Sequence, residues 1–265
     1  MNKKALFQYN GKRFFSSDVI SALRSVGITY GDTVFIHADL GKFGRLADIK
    51  NRVDFNSEFL NACLEAVGDN GTLVIPTFTY SVGEGEIFDY YESPSKVGYF
   101  SELARTTHGF TRSDDPIFSV ASIGPKTTTL VNNLSNQCLG KDSIFDRMYK
   151  IDAKILNLGF YFYPTFIHFV EAQCKVPYRY DKTFTIKIKK GNEQYEKSYV
   201  YNVRDLKNNP HPNISVFEEI VFEEKIVKKT KLGNGVITSV KMKDLFRIAS
   251  EMIHVNPTAL VVLDR

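Results

Sequence analysis

Two residues that could move a proton stand three positions apart in the second half of the chain. His168 and Glu171 follow the apolar run 153–159, which predicts a buried strand, and they fall where a helix is expected to start with Thr165 as its N-cap. This spacing puts both side chains on one helix face, beyond the carboxyl end of a strand, where open α/β sheets bind ligands. The positive end of the helix dipole favours the neutral imidazole, the form that accepts a proton. The alternative is an ordinary contact between two residues on a helix surface.

A loop that could approach a ligand closely follows an earlier predicted strand. Residues 33–37 form a β-branched and apolar run that fits a buried strand. The next seven residues are Ala38, Asp39, Leu40, Gly41, Lys42, Phe43 and Gly44. The two glycines allow a ligand to come close to the backbone, and an ordinary turn is the alternative.

Strands and helices alternate over the first two thirds of the chain, which predicts a mostly parallel sheet covered on both faces. After Glu171 the pattern changes to alternating segments around Gly191-Asn192 and around Gly233-Asn234-Gly235, which predict two hairpins. We therefore expect a single domain over residues 1–265, with a β-rich insertion or subdomain at 178–240. A closing helix is predicted at 242–254.

Composition excludes several classes of protein. With 265 residues, 43% of them hydrophobic, the chain can bury a full core, and no apolar run nears the roughly 20 residues of a membrane span. We expect a cytoplasmic protein that binds no membrane. Cys63, Cys138 and Cys174 lack Cys-x-x-Cys spacing, so neither a disulfide framework nor a metal site is predicted. A net charge of +4 is too small to indicate nucleic acid binding, but it is compatible with a phosphorylated small ligand.

Four segments recur in a characteristic order and spacing. They are 34–40 with Phe43-Gly44, 71–79, Arg112-Ser113-x-Asp115-Pro116 with 117–120, and Thr165-Phe166-x-His168-x-x-Glu171. Together they resemble the aminoglycoside 3-N-acetyltransferase family from about residue 15 to the end of the chain. The resemblance implies an α/β fold, specifically a three-layer α/β/α sandwich with a mostly parallel central sheet and a β-rich C-terminal insertion. It also implies direct transfer of an acyl group from coenzyme A to a sugar amine.

Two departures from the family pattern bear on the acceptor. Asp115 stands where antibiotic-modifying members usually carry a histidine, and Asp39 and Gly41 depart from the usual loop. These forms look like members associated with surface-polysaccharide synthesis, which act on amino sugars that are commonly nucleotide-linked. We therefore expect an acyl-CoA-dependent N-acyltransferase for such a sugar. The alternative is aminoglycoside acetylation and antibiotic resistance, and a second alternative is a non-catalytic protein that binds coenzyme A or a sugar nucleotide.

The resemblance assigns the chemistry to the His168 segment. A base with a pKa near 6.5 suits an amine that is mostly protonated at neutral pH, so His168 is the expected base. Glu171 orients the ring or accepts a proton from the ammonium. The structural alternative is that Glu171 pairs with Arg179 or Lys175.

The resemblance also predicts binding residues for both substrates. His37 and the loop 38–44, with Ser119, Val120 and Ala121 across a cleft, are expected to hold the pantetheine arm of acyl-CoA and an oxyanion. The acceptor is expected to contact Tyr80, Glu86 and Asp115, although an Asp-Pro turn is the alternative for Asp115. No metal is expected. A homodimer is one option for the assembly.

Overall fold

The computed structural model describes residues 4–79, 85–159, 162, 164–208 and 210–262. Within these ranges the helices are α1 (Ser16–Ser25), α2 (Arg52–Val67), α3 (Tyr99–Thr106), α4 (Thr127–Val131), α5 (Ile144–Lys150), α6 (Ile167–Gln173), α7 (Ile214–Glu223) and α8 (Met242–Val255). The strands are β1 (Phe7–Tyr9), β2 (Lys12–Phe14), β3 (Thr33–Ala38), β4 (Arg45–Leu46), β5 (Thr72–Pro76), β6 (Phe88–Asp89), β7 (Thr111–Arg112), β8 (Val120–Ile123), β9 (Lys154–Leu158), β10 (Arg179–Lys190), β11 (Glu193–Arg204), β12 (His211–Pro212), β13 (Lys228–Leu232), β14 (Gly235–Lys241) and β15 (Val261–Val262).

A mixed sheet of seven strands organises the chain, in the order β13-β14-β9-β3-β5-β8-β7. The central strands β9, β3 and β5 pair in parallel, whereas the pairs on either side of them are antiparallel. The expectation of a mostly parallel sheet therefore describes only the centre. For β13 and β14 the physical reason is their connection, a tight turn that reverses the chain and leads to antiparallel pairing.

Hydrophobic clusters lie on both faces of this sheet, because successive strand side chains point to opposite sides. On one face, Val34, Ile36 and Leu156 pack with residues of α1, α2 and α3. On the other face, Phe35 and Ile155 pack with residues of α4, α5, α6, α7 and α8. Helices thus cover the sheet on both sides, and α6 places His168 on the second side.

The predicted β-rich insertion at 178–240 is corrected by the structure. Within this range the hairpin of β10 and β11 lies outside the central sheet, and β10 also pairs with β6. The short strand β12 lies outside it as well and pairs with β15. The second predicted hairpin, β13 with β14, forms one edge of the central sheet, and helix α7 separates the two hairpins. β14 belongs to the central sheet because its side chains pack into the hydrophobic clusters on both faces. Ile237 packs on one face and Val240 on the other.

The loops after β3 and β9 contact each other at the carboxyl edge of the sheet. Asp39 N donates a hydrogen bond to Leu158 O at 2.8 Å. Gly159 has a φ of +95°, and a Cβ added there would collide with the carbonyl oxygen of Asp39. A glycine is therefore required at this position. The contact brings the glycine-containing loop beside the segment that leads to His168.

Candidate active site

His168 lies in the first turn of α6, within a buried cluster of polar side chains. Its Nδ1 is 2.9 Å from Glu171 Oε2, so the structure brings the two residues together as their spacing predicts. Arg179 Nη2 lies 2.8 Å from the same carboxylate oxygen and 2.7 Å from His168 Nδ1. Tyr178 donates its hydroxyl proton to Glu171 Oε1 at 2.9 Å. The His168 side chain is 18% exposed and that of Glu171 only 1%, so the ring alone reaches the surface.

The helix begins slightly later than the sequence predicts. Thr165 does not cap it with its side chain; its carbonyl oxygen accepts from His168 N at 3.0 Å, and α6 starts at Ile167. The predicted N-cap at Thr165 is therefore wrong. His168 still stands at the amino end of the helix, where a neutral ring is favoured.

The contacts at His168 Nδ1 allow two assignments of hydrogen. A ring nitrogen carries either a hydrogen or a lone pair, so Nδ1 donates to Glu171 or accepts from Arg179. When Nδ1 carries the hydrogen, Glu171 is its acceptor and the lone pair lies on Nε2. In this tautomer His168 can act as a base.

Burial and the neighbouring charges set the protonation of the cluster. Burial lowers the pKa of His168 below its ordinary value of 6.5; the hydrogen bond with Glu171 acts upward, and the charges of Arg179 and Arg204 act downward. Burial alone would raise the pKa of Glu171, but the hydrogen bond with His168 and the charge of Arg179 hold it below its ordinary value of 4.5. At neutral pH the carboxylate is ionised and the imidazole is neutral.

A pH profile should report this lowered pKa. The ring accepts a proton only when it is neutral, so activity is present above the pKa of His168 and is lost as the pH falls through it. With saturating substrates we expect kcat to rise through one ionisation below pH 6.5. Steady-state rates between about pH 4.5 and 8 are the measurement, and the ionisation should vanish in His168→Asn. A midpoint above the ordinary histidine value, or the same profile in the variant, would contradict this assignment.

The glycine-containing loop 38–44 borders a cavity on the side of α1, α2 and α3, here called the loop cavity. Its volume is about 770 Å³. The loop contributes Ala38, Asp39, Leu40, Gly41 and Gly44, and the other lining residues include Arg45, Arg52, Tyr99 and Phe100. Two arginines and the amino ends of α2 and α3 border the space, which suits an anionic ligand.

Phe43 does not belong to this cavity, contrary to the expectation for the whole loop. Its side chain is fully buried, with its ring 5.2 Å from that of Phe59 and 5.9 Å from that of Phe7. The ring turns inward because the loop doubles back over the core between α2 and β1. We therefore assign Phe43 to the hydrophobic core.

Lys42 reaches a second cavity on the opposite side of the sheet, here called the α7 cavity. It measures about 660 Å³ and lies between α7 and the sheet edge. Its lining is Lys42, Gly159, Phe162, Ser215, Glu218, Glu219, Phe222, Lys229, Asn234, Val236 and Thr238. Phe162 N donates to Glu218 Oε1 at 2.7 Å. Gly159 and Phe162 belong to the connection between β9 and α6, the helix that carries His168.

A row of polar side chains crosses three strands beneath this region. His37 on β3 pairs in register with Asn157 on β9, which pairs with Thr238 on β14. Asn157 and Thr238 are buried, and their side-chain polar atoms have no hydrogen-bond partner among the described residues. The His37 ring packs edge-on against Phe35, and burial lowers its pKa to about 4. His37 therefore lies on the other face of the sheet from the loop cavity, and its expected contact with acyl-CoA stays a prediction.

The expected cleft wall at Ser119, Val120 and Ala121 is corrected by the structure. All three side chains are buried where β8 lies between β5 and β7 in the sheet. Ser119 Oγ donates to Thr77 O at 2.7 Å and so belongs to the hydrogen bonding of the sheet. These side chains therefore belong to the core around β8.

The three residues expected to bind the acceptor have different outcomes. Tyr80 lies outside the described residues. Glu86 is exposed, with its carboxylate 3.6 Å from Lys96 Nζ. It precedes β6, which pairs with the far end of β10, roughly 30 Å along that strand from Arg179 at about 3.3 Å per residue. Glu86 therefore does not share a site with His168.

Asp115 forms the Asp-Pro turn that was the alternative to a contact with the acceptor. The carboxylate is buried, and its Oδ1 accepts from the backbone N–H of Ile117 at 2.7 Å and of Phe118 at 3.0 Å. Burial raises its pKa to about 6, although these hydrogen bonds act in the opposite direction. The Asp-Pro turn uses the side chain, so the expected contact with the acceptor is not supported.

Tyr178 and Arg179 complete the His168 cluster, and the sequence indicated only part of this. Arg179 was one of two alternative partners of Glu171, and the structure selects it over Lys175. Tyr178 was not predicted. The signal available in the sequence was their position directly after α6, where the chain turns into β10.

The described ranges hold neither a metal-binding cluster nor a membrane-spanning helix. No group of three or more His, Cys, Asp or Glu side chains there could hold a metal ion. None of the helices in these ranges is long and apolar enough to cross a bilayer.

Several solved structures share this fold. The chain aligns with AAC-IIIb in a binary complex with CoASH at a TM-score of 0.77 and 18% identity, covering 91% of this chain and 96% of that one. AAC-VIa bound to sisomicin aligns at 0.77 and 22% identity, over 91% and 97% of the two chains. YokD from Bacillus subtilis aligns at 0.74 and 19% identity, over 91% and 99%. At these identities the likeness shows the fold.

The class of protein is that of acyl-CoA-dependent enzymes that acylate amines. The family model for aminoglycoside 3-N-acetyltransferase matches residues 35–254, which is most of the chain. This chain belongs to the aminoglycoside 3-N-acetyltransferase family. The resemblance inferred from the four sequence segments is thereby confirmed, with acetyl-CoA as the co-substrate of the family.

Proposed function

We propose that this protein transfers an acetyl group from acetyl-CoA to an amine of an aminoglycoside, with His168 as the base. The observation that carries the proposal is the buried cluster in which ionised Glu171 contacts Nδ1 of a neutral His168. AAC-VIa is known bound to sisomicin, and a histidine-to-alanine variant of AAC(3)-IVa is known in complex with a gentamicin. These relatives support the aminoglycoside alternative over the nucleotide-linked sugar.

His168 would carry the proton through both halves of the reaction. Its Nε2 accepts a proton from the attacking amine while the amine nitrogen bonds to the acyl carbon. The carbon–sulfur bond then breaks, and the imidazolium returns the proton to the leaving thiolate. Glu171 accepts from Nδ1–H throughout and stabilises the imidazolium while it exists, as an orienting carboxylate does in other histidine bases.

The loop cavity is our choice for the phosphate-bearing end of acetyl-CoA. Arg45 and Arg52 line it. A guanidinium group can donate two parallel hydrogen bonds to two oxygens of one phosphate. Backbone N–H groups of the lining loop can supply further donors to an anion. The donor set therefore fits an anionic co-substrate, and Gly41 and Gly44 let it approach the main chain.

A nucleotide-linked amino sugar for surface polysaccharide synthesis is the second candidate acceptor. Lys42 and Lys229 line the α7 cavity, and two cations there suit a pyrophosphate. Glu218 and Glu219 share the same lining and suit the ammonium groups of an aminoglycoside. Removing the lysine charges or the glutamate charges of this cavity should therefore affect the two acceptor classes differently.

Calorimetry on the His168→Asn protein with coenzyme A bound should identify the acceptor, because coenzyme A carries no acyl group and no reaction heat is added to the heat of binding. We expect sisomicin to bind more tightly than a nucleotide-linked amino sugar. The sisomicin affinity should fall as salt is raised from about 0.05 to about 0.5 M, since both partners are charged. Glu218→Gln should lower the affinity for sisomicin, whereas Glu224→Gln, just past the carboxyl end of the same helix and outside the cavity lining, is the control and should leave it unchanged. Binding of the sugar nucleotide alone would promote the second candidate.

The finer architecture belongs to the same proposal. We infer a three-layer α/β/α arrangement, supported by helices that pack on both faces of the central sheet. We also propose that residues 1–265 form a single acyltransferase domain. A homodimer and a cytoplasmic location stay predictions from the sequence.

A further inference from the structure

Arg179 is held rigidly where it meets both members of the proposed catalytic pair. Its side chain is 2% exposed, and its Nη1 donates to Asn202 O on the neighbouring strand β11 at 2.9 Å. Its Nη2 donates to Glu171 Oε2 at 2.8 Å and lies 2.7 Å from His168 Nδ1, which is itself 2.9 Å from that oxygen. When Nδ1 carries a hydrogen, the guanidinium bonds to the carboxylate and acts on the ring through its charge alone. The base of the β10–β11 hairpin thus fixes a positive charge at the carboxylate.

This charge changes what Glu171 does to the ring. A buried carboxylate beside an imidazole favours the imidazolium, because the opposite charge stabilises the protonated form. An imidazolium has no lone pair and cannot act as a base. The guanidinium balances the carboxylate at the same oxygen, so Glu171 can accept a hydrogen bond without drawing a second proton onto the ring.

We propose that Arg179 is a positioning residue that keeps His168 in its neutral, proton-accepting form by matching the charge of Glu171. The functional meaning of this inference rests on the proposed role of His168 as base. The charge balance itself depends on no substrate. The groups that act on the ring are Glu171 from α6, Arg179 from β10 and Arg204 from β11, with Tyr178 bonded to the far oxygen of the carboxylate.

A cycle of variants separates charge balance from a merely structural role. Arg179→Gln leaves the carboxylate unbalanced and should raise the titration midpoint of His168 by about one pH unit or more. Glu171→Gln leaves the guanidinium unbalanced and should lower the midpoint. The double variant should return to within about half a unit of the wild type, because both charges are gone. The midpoint is read by NMR from the ring ¹H and ¹⁵N signals of His168.

Two further variants complete the design. Arg179→Lys keeps the charge and should rescue the midpoint to within about half a unit of the wild type, although it loses the fork geometry. Arg247→Gln removes an exposed arginine of α8 and should leave the midpoint unchanged. If Arg179→Gln does not fold, the Glu171→Gln, double and Arg179→Lys proteins still test the sign of each charge.

The outcomes are distinct. The proposal is supported if the His168 midpoint shifts in opposite directions in the two single variants. The acid limb of each variant's kcat profile should shift in the same direction as its midpoint. Midpoint shifts in the same direction in both single variants, or none, would overturn the proposal. The NMR titration needs no turnover, so it tests Arg179 even if no amine is acylated and the proposed function fails.

Discussion

Replacing His168 by asparagine is expected to lower kcat by roughly 10²–10⁴-fold, the usual contribution of a general base. Asparagine keeps a polar side chain of similar size but cannot exchange a proton near neutral pH. The affinity for coenzyme A should hardly change, because His168 does not line the loop cavity. Steady-state thiol release gives kcat, and calorimetry gives the coenzyme A affinity.

His254→Asn is the matched control for this experiment. His254 is exposed in the last turn of α8, where its Nδ1 lies 2.7 Å from Ser250 O. The same substitution there should leave kcat within about twofold of the wild type, as surface substitutions usually do. If His168→Asn also kept its rate within a few-fold, His168 would have no part in the mechanism.

Replacing Phe43 by alanine is expected to cost about 3–5 kcal/mol of the free energy of unfolding, as for other buried phenylalanines. The ring is fully buried against Phe7 and Phe59, so its removal opens a cavity that the surrounding core cannot fill. Urea unfolding followed by circular dichroism measures the loss. At a temperature where the variant is folded, KM for acetyl-CoA should stay near the wild-type value.

Tyr180→Ala provides a comparison for Phe43→Ala. Tyr180 is also aromatic, but it is half exposed at the start of β10. Its removal should change the free energy of unfolding by less than about 1 kcal/mol. A stable Phe43→Ala protein with a strongly raised KM would show instead that Phe43 contacts the co-substrate.

The pair of His168 and Glu171 could be predicted because its geometry is local. Two residues three apart on a helix must share a face, and this holds although α6 begins two residues after Thr165. The central strands β3 and β9 could also be predicted, since 33–37 and 153–159 are apolar runs whose composition indicates strands. Local sequence is therefore sufficient to predict those parts of the site that lie within a single helix or strand.

The remaining parts depend on contacts between distant segments. Phe43 and Gly41 are close in the same loop, but only tertiary packing decides that one fills the core and the other borders a cavity. Arg179 could be suggested as a partner of Glu171, yet its simultaneous contact with His168 required the position of the β10–β11 hairpin. The position of Glu86 could not be predicted for the same reason, because the pairing of the following strand β6 with β10 is not visible from spacing.

The register of β3 has a consequence for synthesis on the ribosome. One edge of β3 pairs with β5, where Val34 faces Leu73, but its other edge pairs with β9, where Val34 faces Lys154. During translation the first half of the chain emerges well before that second partner exists, and an unpaired strand edge is a template for association with other chains. Nascent chains arrested before β9 therefore expose the centre of the future sheet. They should be prone to associate with other chains until β9 and then β14 cover that edge.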